Sequence, residues 1–194
     1  MNFKRTIGLR ICLKLGLLVF LGMPLGQAQT AKEIAKARED IAELQSKLRQ
    51  SNDRSNQGAK LLLQLTDLAD QYGRPFTLIQ AGKRFVVSNP DHVRHPEVML
   101  KLIDAQLITA REKDAVSTAR QFIVRHAGHP QIAEIHRLLA ALLERDGKLS
   151  AAAQELVLAY ESQQGHLADA ALAVQYYRRE NSHRSSAEAA RLAI

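Results

Sequence analysis

The stretch Ala133-Glu-Ile-His-Arg-Leu-Leu-Ala-Ala-Leu-Leu-Glu-Arg-Asp-Gly-Lys-Leu-Ser-Ala-Ala-Ala-Gln-Glu-Leu-Val-Leu-Ala-Tyr160 decides the fold. It has two helix-forming arms on either side of Gly147. Ala140 in the first arm and Ala152 in the second are small enough to let two antiparallel helices approach closely, and Leu139, Leu143 and Leu156 fill the space between them. Gly147 is placed to end the first helix in a left-handed conformation that other residues adopt only at a cost. The composition of the whole chain agrees. Of 194 residues, 46% are hydrophobic and only 5% aromatic, with no Trp and abundant Ala and Leu, a bias toward helix over sheet. Ten Gly and five Pro are too few for a collagenous or linker-like chain.

Outward from that stretch the chain looks repetitive. His95-Pro96-Glu97-Val98 returns as His129-Pro130-Gln131-Ile132 at a spacing of 34, and such periods mark stacked helical hairpins. Counted from Ala133, the positions Leu139, Ala140, Leu143, Gly147, Ala152, Leu156 and Ala159 resemble the tetratricopeptide-repeat pattern. The departures are His136 at the position of the family's Trp and Gln164 at that of its closing Pro. The resemblance implies an all-α fold, a short α-solenoid of tetratricopeptide-like hairpins over 59–194, in units 59–92, 99–132, 133–166 and a partial 167–194. Three or more such units are needed to bury a continuous core.

Before the repeats, Ile34, Ala37, Ile41, Leu44 and Leu48 form a heptad stripe within an amphipathic helix over 29–50, and Thr30 with Glu33 fits a capping box. Residues 30–50 thereby offer a short coiled coil and a route to a homo-oligomer. The eight polar or turn residues 51–58 are expected to be a linker and domain boundary.

Residues 1–28 read as a secretory signal peptide. Lys4, Arg5 and Arg10 precede the apolar run Leu15–Leu21, Pro24 breaks it, and Gly26-Gln27-Ala28 offers a cleavage site. The expectation is a periplasmic protein cleaved after Ala28, with no membrane span remaining and no cysteine, since Cys12 is the only one. The first 28 residues also hold four of the 27 basic residues and none of the 20 acidic ones. The remaining 23 against 20 leave no footprint for nucleic acid.

No Gly-x-Ser-x-Gly elbow, phosphate loop or His-Glu-x-x-His motif is present, so the expectation is a chain that is not an enzyme and takes no cofactor. The histidine pair His92/His95 recurs as His126/His129 at the same spacing, and these four are the candidate metal ligands, since imidazole binds zinc or copper. Set against them is the plainer reading of repeated turn chemistry beside an early-helix proline. Stacked hairpins leave a groove along their first helices, which is suited to a peptide or partner helix. The candidate partner-binding residues there are His136, Arg137, Glu144, Tyr177 and Arg178. The expected function is a non-catalytic protein–protein interaction scaffold of the bacterial cell envelope. The alternative is a helical accessory domain of an envelope enzyme or polymer-export complex. A heptad helix, a linker and then repeats also resemble the layout of the Tol–Pal-associated cell-division coordinator family.

Overall fold

The computed structural model describes residues 31–162, 165–180 and 190; the signal read from residues 1–28, Cys12 included, lies outside them. Eight helices and no strand occur among the described residues. They are α1 (Ala31–Arg49), α2 (Asn56–Gln71), α3 (Pro75–Ser88), α4 (His95–Ile108), α5 (Glu112–Arg125), α6 (Ile132–Arg145), α7 (Leu149–Glu161) and α8 (Leu167–Arg179). Packing divides them into two compact units, with the boundary between Ser88 and Asn89. The first unit holds α1–α3 and the second α4–α8.

Within each unit the helices pair as the all-α reading requires. In the first, α2 packs on α3, and α1 packs on α2. In the second, α4 packs on α5, α6 on α7, and α8 on α7. The cores are built from apolar residues of mixed size: Leu62, Phe85 and Ala69 in the first unit, and Met99, Ile103, Phe122 and Leu139 in the second, all 2% exposed or less. Burying each large side chain of this kind contributes about 1.5–3 kcal/mol. The close approach inferred at Ala140 and Ala152 is present, in one cluster with Ala153, Leu156, Ala173, Tyr176 and Tyr177.

The period differs from the spacing of the two His-Pro pairs: it is 37. Among the described residues those with positive φ are Gly73 (59°), Ala110 (57°) and Gly147 (74°), spaced by 37. Each closes a three-residue turn within a hairpin by the same pair of bonds. The N–H of Arg74, Arg111 and Lys148 donates to the carbonyl five residues back, on Ala69, Gln106 and Leu143, at 2.7, 2.8 and 2.9 Å. The N–H groups of the three positive-φ residues donate three residues back. This is the double bond of a Schellman cap, which satisfies helix-end carbonyls. The connectors between hairpins, six residues long before α2, α4 and α6 and five before α8, repeat with the same step. Ser55, His92 and His129 each donate a backbone N–H to the carbonyl of Asn52, Asn89 and His126. His92, His129 and His166 each accept at their own carbonyl from the N–H of His95, Ile132 and Asp169. The true counterpart of His92 is therefore His129, not His126. The two His-Pro pairs sit at different places, one opening α4 and one inside the connector before α6.

Two further expectations change. Residues 51–55 form a hydrogen-bonded turn, with Ser55 capping α2 through its hydroxyl to the Gly58 N–H, and the boundary between units lies elsewhere. A Cβ at Gly58 would run into the Asn52 carbonyl, so this turn depends on glycine there. The heptad stripe of α1 is also already used. Ala37, Ile41 and Leu48 are buried, and α1 packs on α2 rather than presenting a free coiled-coil seam.

Candidate partner-binding site

In the second unit Arg137 of α6 forks onto Asp169 of α8, Nε to Oδ1 at 2.8 Å and one terminal nitrogen to Oδ2 at 2.7 Å. This bond sets the first helices of successive hairpins side by side. Burial alone would raise the Asp169 carboxyl, but the Arg137 fork and the His166 N–H at 3.0 Å outweigh it and hold the group below its ordinary range. Bidentate pairs of this kind fix geometry as well as charge.

The other residues read as partner-binding fall into two sets. His136 is 7% exposed, and its Nδ1 lies 2.7 Å from the Glu155 carboxylate of α7. Tyr177 is 7% exposed in the core between α7 and α8. These two, with Arg137, hold the helices together instead of facing a groove. Glu144 and Arg178 are exposed. Glu144 also accepts from the Tyr176 hydroxyl, and that bond adds to burial in pushing the Tyr176 phenol up. Sequence patterning could not separate the two sets, because His, Arg and Tyr at a helix interface are paired or buried by partners one hairpin away.

The surface left on these helices is regular. On α6, the exposed Glu134 and Glu144 and the partly exposed Ala141 follow one another at seven and three residues. On α8, Ala168, Ala171, Gln175 and Arg178 do so at three, four and three. Each set lies on one helical face. Small alanines flanked by charges make a surface that another backbone can approach closely.

The histidines form a contact, not a metal centre. His95, 1% exposed, places Nδ1 2.9 Å from Nε2 of His126, one donating and the other accepting. Phe122 packs against the rings of both His126 and His129, with centroids 5.2 Å apart in each case. His92 and His129 each accept a backbone N–H at Nδ1, from Arg94 at 3.1 Å and Gln131 at 3.2 Å. No group of three or more His, Cys, Asp or Glu side chains is placed to hold a metal ion among the described residues. Two imidazoles fall short of the three or four ligands zinc takes. Burial, then the neighbouring His95, lowers His126; burial lowers His129.

The first unit carries two clefts. One, of about 500 Å³, lies between α1 and α2, with Leu44 and Leu68 among its lining side chains. The other, of about 240 Å³, lies over Leu48, Leu65 and Ala81 with Arg49 and Arg84 at its rim. Arg84 is forked onto Asp53 at 2.7 and 2.8 Å.

No family model matches the chain, and no curated protein does. Solved structures do match. One, titled "Crystal structure of MamA", has a TM-score of 0.55 at 16% identity and covers 89% of this chain and 94% of that one. A second, "Crystal structure of MamA protein", has a TM-score of 0.55 at 18% identity and covers 84% of each. At such identity the likeness speaks for the fold: paired helices of the tetratricopeptide type. It does not extend to the Tol–Pal-associated coordinators. Set against these MamA structures, the periplasmic placement read from residues 1–28 does not hold. Among the described residues no helix is long and apolar enough to cross a membrane.

Proposed function

We propose that the chain is a non-catalytic scaffold that binds a protein partner on the exposed faces of α6 and α8. The observation that supports this reading most is the Arg137–Asp169 fork, which sets two regular rows of small and charged residues side by side. Ala141, Ala168 and Ala171 allow close approach, while Glu134, Glu144, Gln175 and Arg178 supply the polar contacts that set specificity. His136, Arg137 and Tyr177 act indirectly, by holding α6, α7 and α8 in place. The tetratricopeptide-like fold supports a binding role, since stacked hairpins expose long helix faces and need no catalytic group to do so.

The test is capture of the partner with Ala141→Glu and Arg178→Glu combined. Both positions are at the surface, so the helical circular-dichroism signal and the melting temperature should be unchanged. The partner retained by the native chain should be lost. Undiminished capture by the double variant would remove this face from consideration.

A further inference from the structure

We infer that the α4–α5 hairpin is a separately opening element: it unfolds as one piece while α6, α7 and α8 stay folded, and its opening uncovers an apolar stripe on α6. Gln106 of α4 is fully buried, and neither its Nε2 nor its Oε1 has a hydrogen-bond partner. One step of 37 back and one step on, the same place holds Ala69 and Leu143, which need none. Water satisfies the Gln106 amide as soon as the helix around it opens, so only the closed hairpin bears this cost. Four residues on, Ala110 closes the hairpin turn at φ 57°, where the turns one step away use Gly73 and Gly147. The strain of a Cβ in that conformation also ends on opening. Among the described residues these two features, a buried amide without a partner and a left-handed residue other than glycine, occur nowhere else.

The attachment of the hairpin is light as well. It is the first hairpin of the second unit, so within that unit it has a neighbour only on its α6 side. There α5 packs lightly on α6, whereas α7 packs broadly on both α6 and α8. The ion pair across the light contact, Glu112 with Arg145, joins two side chains that are nearly half exposed, and a pair in water adds little. The fork from α6 to α8 is better shielded, since the Asp169 side chain is buried. Inside the hairpin the two helices hold each other. Val98, Met99 and Ile103 of α4 and Ala115, Ala119 and Phe122 of α5 are all buried, and His95 Nδ1 at the start of α4 meets His126 Nε2 just past the end of α5 at 2.9 Å. Loss of either helix strips the other of its partner, so the two open together.

What the opening uncovers follows from the register of α6. Ile135, Leu138 and Leu142 are buried and follow one another at three and four residues, one helical stripe. Each lies two residues from Arg137 or Ala140, which is about 200° around the helix. Arg137 reaches α8, and Ala140 packs in the cluster shared with α7 and α8. The stripe therefore turns away from α8, toward α5, the remaining helix packed on α6. An apolar stripe released by a low-cost opening lets the second unit offer a surface for part of the time only, and a ligand of the open form would shift that share.

The experiment is hydrogen exchange of the full chain at neutral pH, followed by mass spectrometry of its peptides. The amides of α4 and α5 should exchange at least about tenfold faster than those of α6 and α7, after correction for their intrinsic rates. Gln106→Leu, which installs the residue of the next step, should slow α4 and α5 by about tenfold or more and leave α6, α7 and α8 unchanged. Ala110→Gly should slow the same two helices by about two- to fivefold. Equal protection of α4–α5 and α6–α7 in the native chain would overturn the inference. So would a slowing that spreads equally through α6, α7 and α8, which would make the second unit one cooperative piece. Should Gln106→Leu disturb the packing and speed exchange, Ala110→Gly, at an exposed position, decides alone. The stripe is tested by thiol labelling of Leu138→Cys in a Cys12→Ser background. Labelling at the opening rate of α4–α5 is expected, and labelling only at the slower rate of α6 would show that the stripe stays covered. The exposed faces of α6 and α8 lie outside the hairpin, so partner capture there and exchange here are separate results.

Discussion

Ala110 is the residue at which the repeat is most plainly under strain. It takes φ 57° at the step occupied by Gly73 and Gly147, and it makes the same capping bonds. A Cβ in this region costs about 1–2 kcal/mol, and the greater freedom of glycine in the unfolded chain offsets part of what its removal would gain. Ala110→Gly should therefore raise stability by about 0.5–1 kcal/mol, read as a higher urea midpoint at unchanged slope. A destabilisation of about 1 kcal/mol, the ordinary result of glycine replacing alanine within a helix, would mean that Ala110 does not occupy a left-handed cap. Four residues earlier, Gln106 is fully buried with neither side-chain atom bonded, at the step that holds Ala69 and Leu143. The α4–α5 hairpin thus carries two local compromises, and neither is visible in the sequence without the correct period.

At the scale of the elements, the connector histidines couple α4 and α5 to pH. The bond between His95 Nδ1 and His126 Nε2 has room for one proton, not two. His126 is lowered by burial and by His95, His129 and Arg125; His129 is lowered by burial, with Glu134 opposing. A histidine lowered on folding binds fewer protons in the native state than in the unfolded one, so stability rises with pH. The contribution is complete above the unfolded value of about 6.5 and is lost as pH falls from there through the lower folded value. The melting temperature should therefore fall between pH 7.5 and 5.5. The drop should shrink in His126→Asn, which installs the residue found one step earlier at Asn89. An unchanged drop would place the pH dependence elsewhere.

Much of the element scale was legible. Ala140, Gly147 and Ala152 define the α6–α7 hairpin without help from outside the stretch, because close helix packing restricts residue size and a helix cap restricts backbone conformation. The period was hidden by a coincidence. His126 follows His92 at the same spacing as His129 follows His95, but His92 and His126 occupy different connector positions. His92, His129 and His166 keep the step of 37, and Gly73 and Gly147 lie two such steps apart. The candidate site was less legible than the fold. Burial of Tyr177, the His136–Glu155 bond and the Arg137–Asp169 fork all depend on which residue lies across a helix interface, and a single helix's pattern does not contain that.

For the molecule as a whole, the central claim is that a protein partner lies along α6 and α8, on the rows that the Arg137–Asp169 fork sets side by side. Site-specific photo-crosslinking in the native host tests this most directly, with a benzoylphenylalanine placed in turn at Ala141 and Ala171 on the first helices and at Gln121 and Gln154 on the second. All four positions are partly or fully exposed, so each reports on its own face without disturbing the core. The expected result is a discrete crosslinked species from Ala141 and Ala171 and none from Gln121 or Gln154. Crosslinks from Gln121 and Gln154 alone, with Ala141 and Ala171 silent, would contradict the account and place the partner on the second helices.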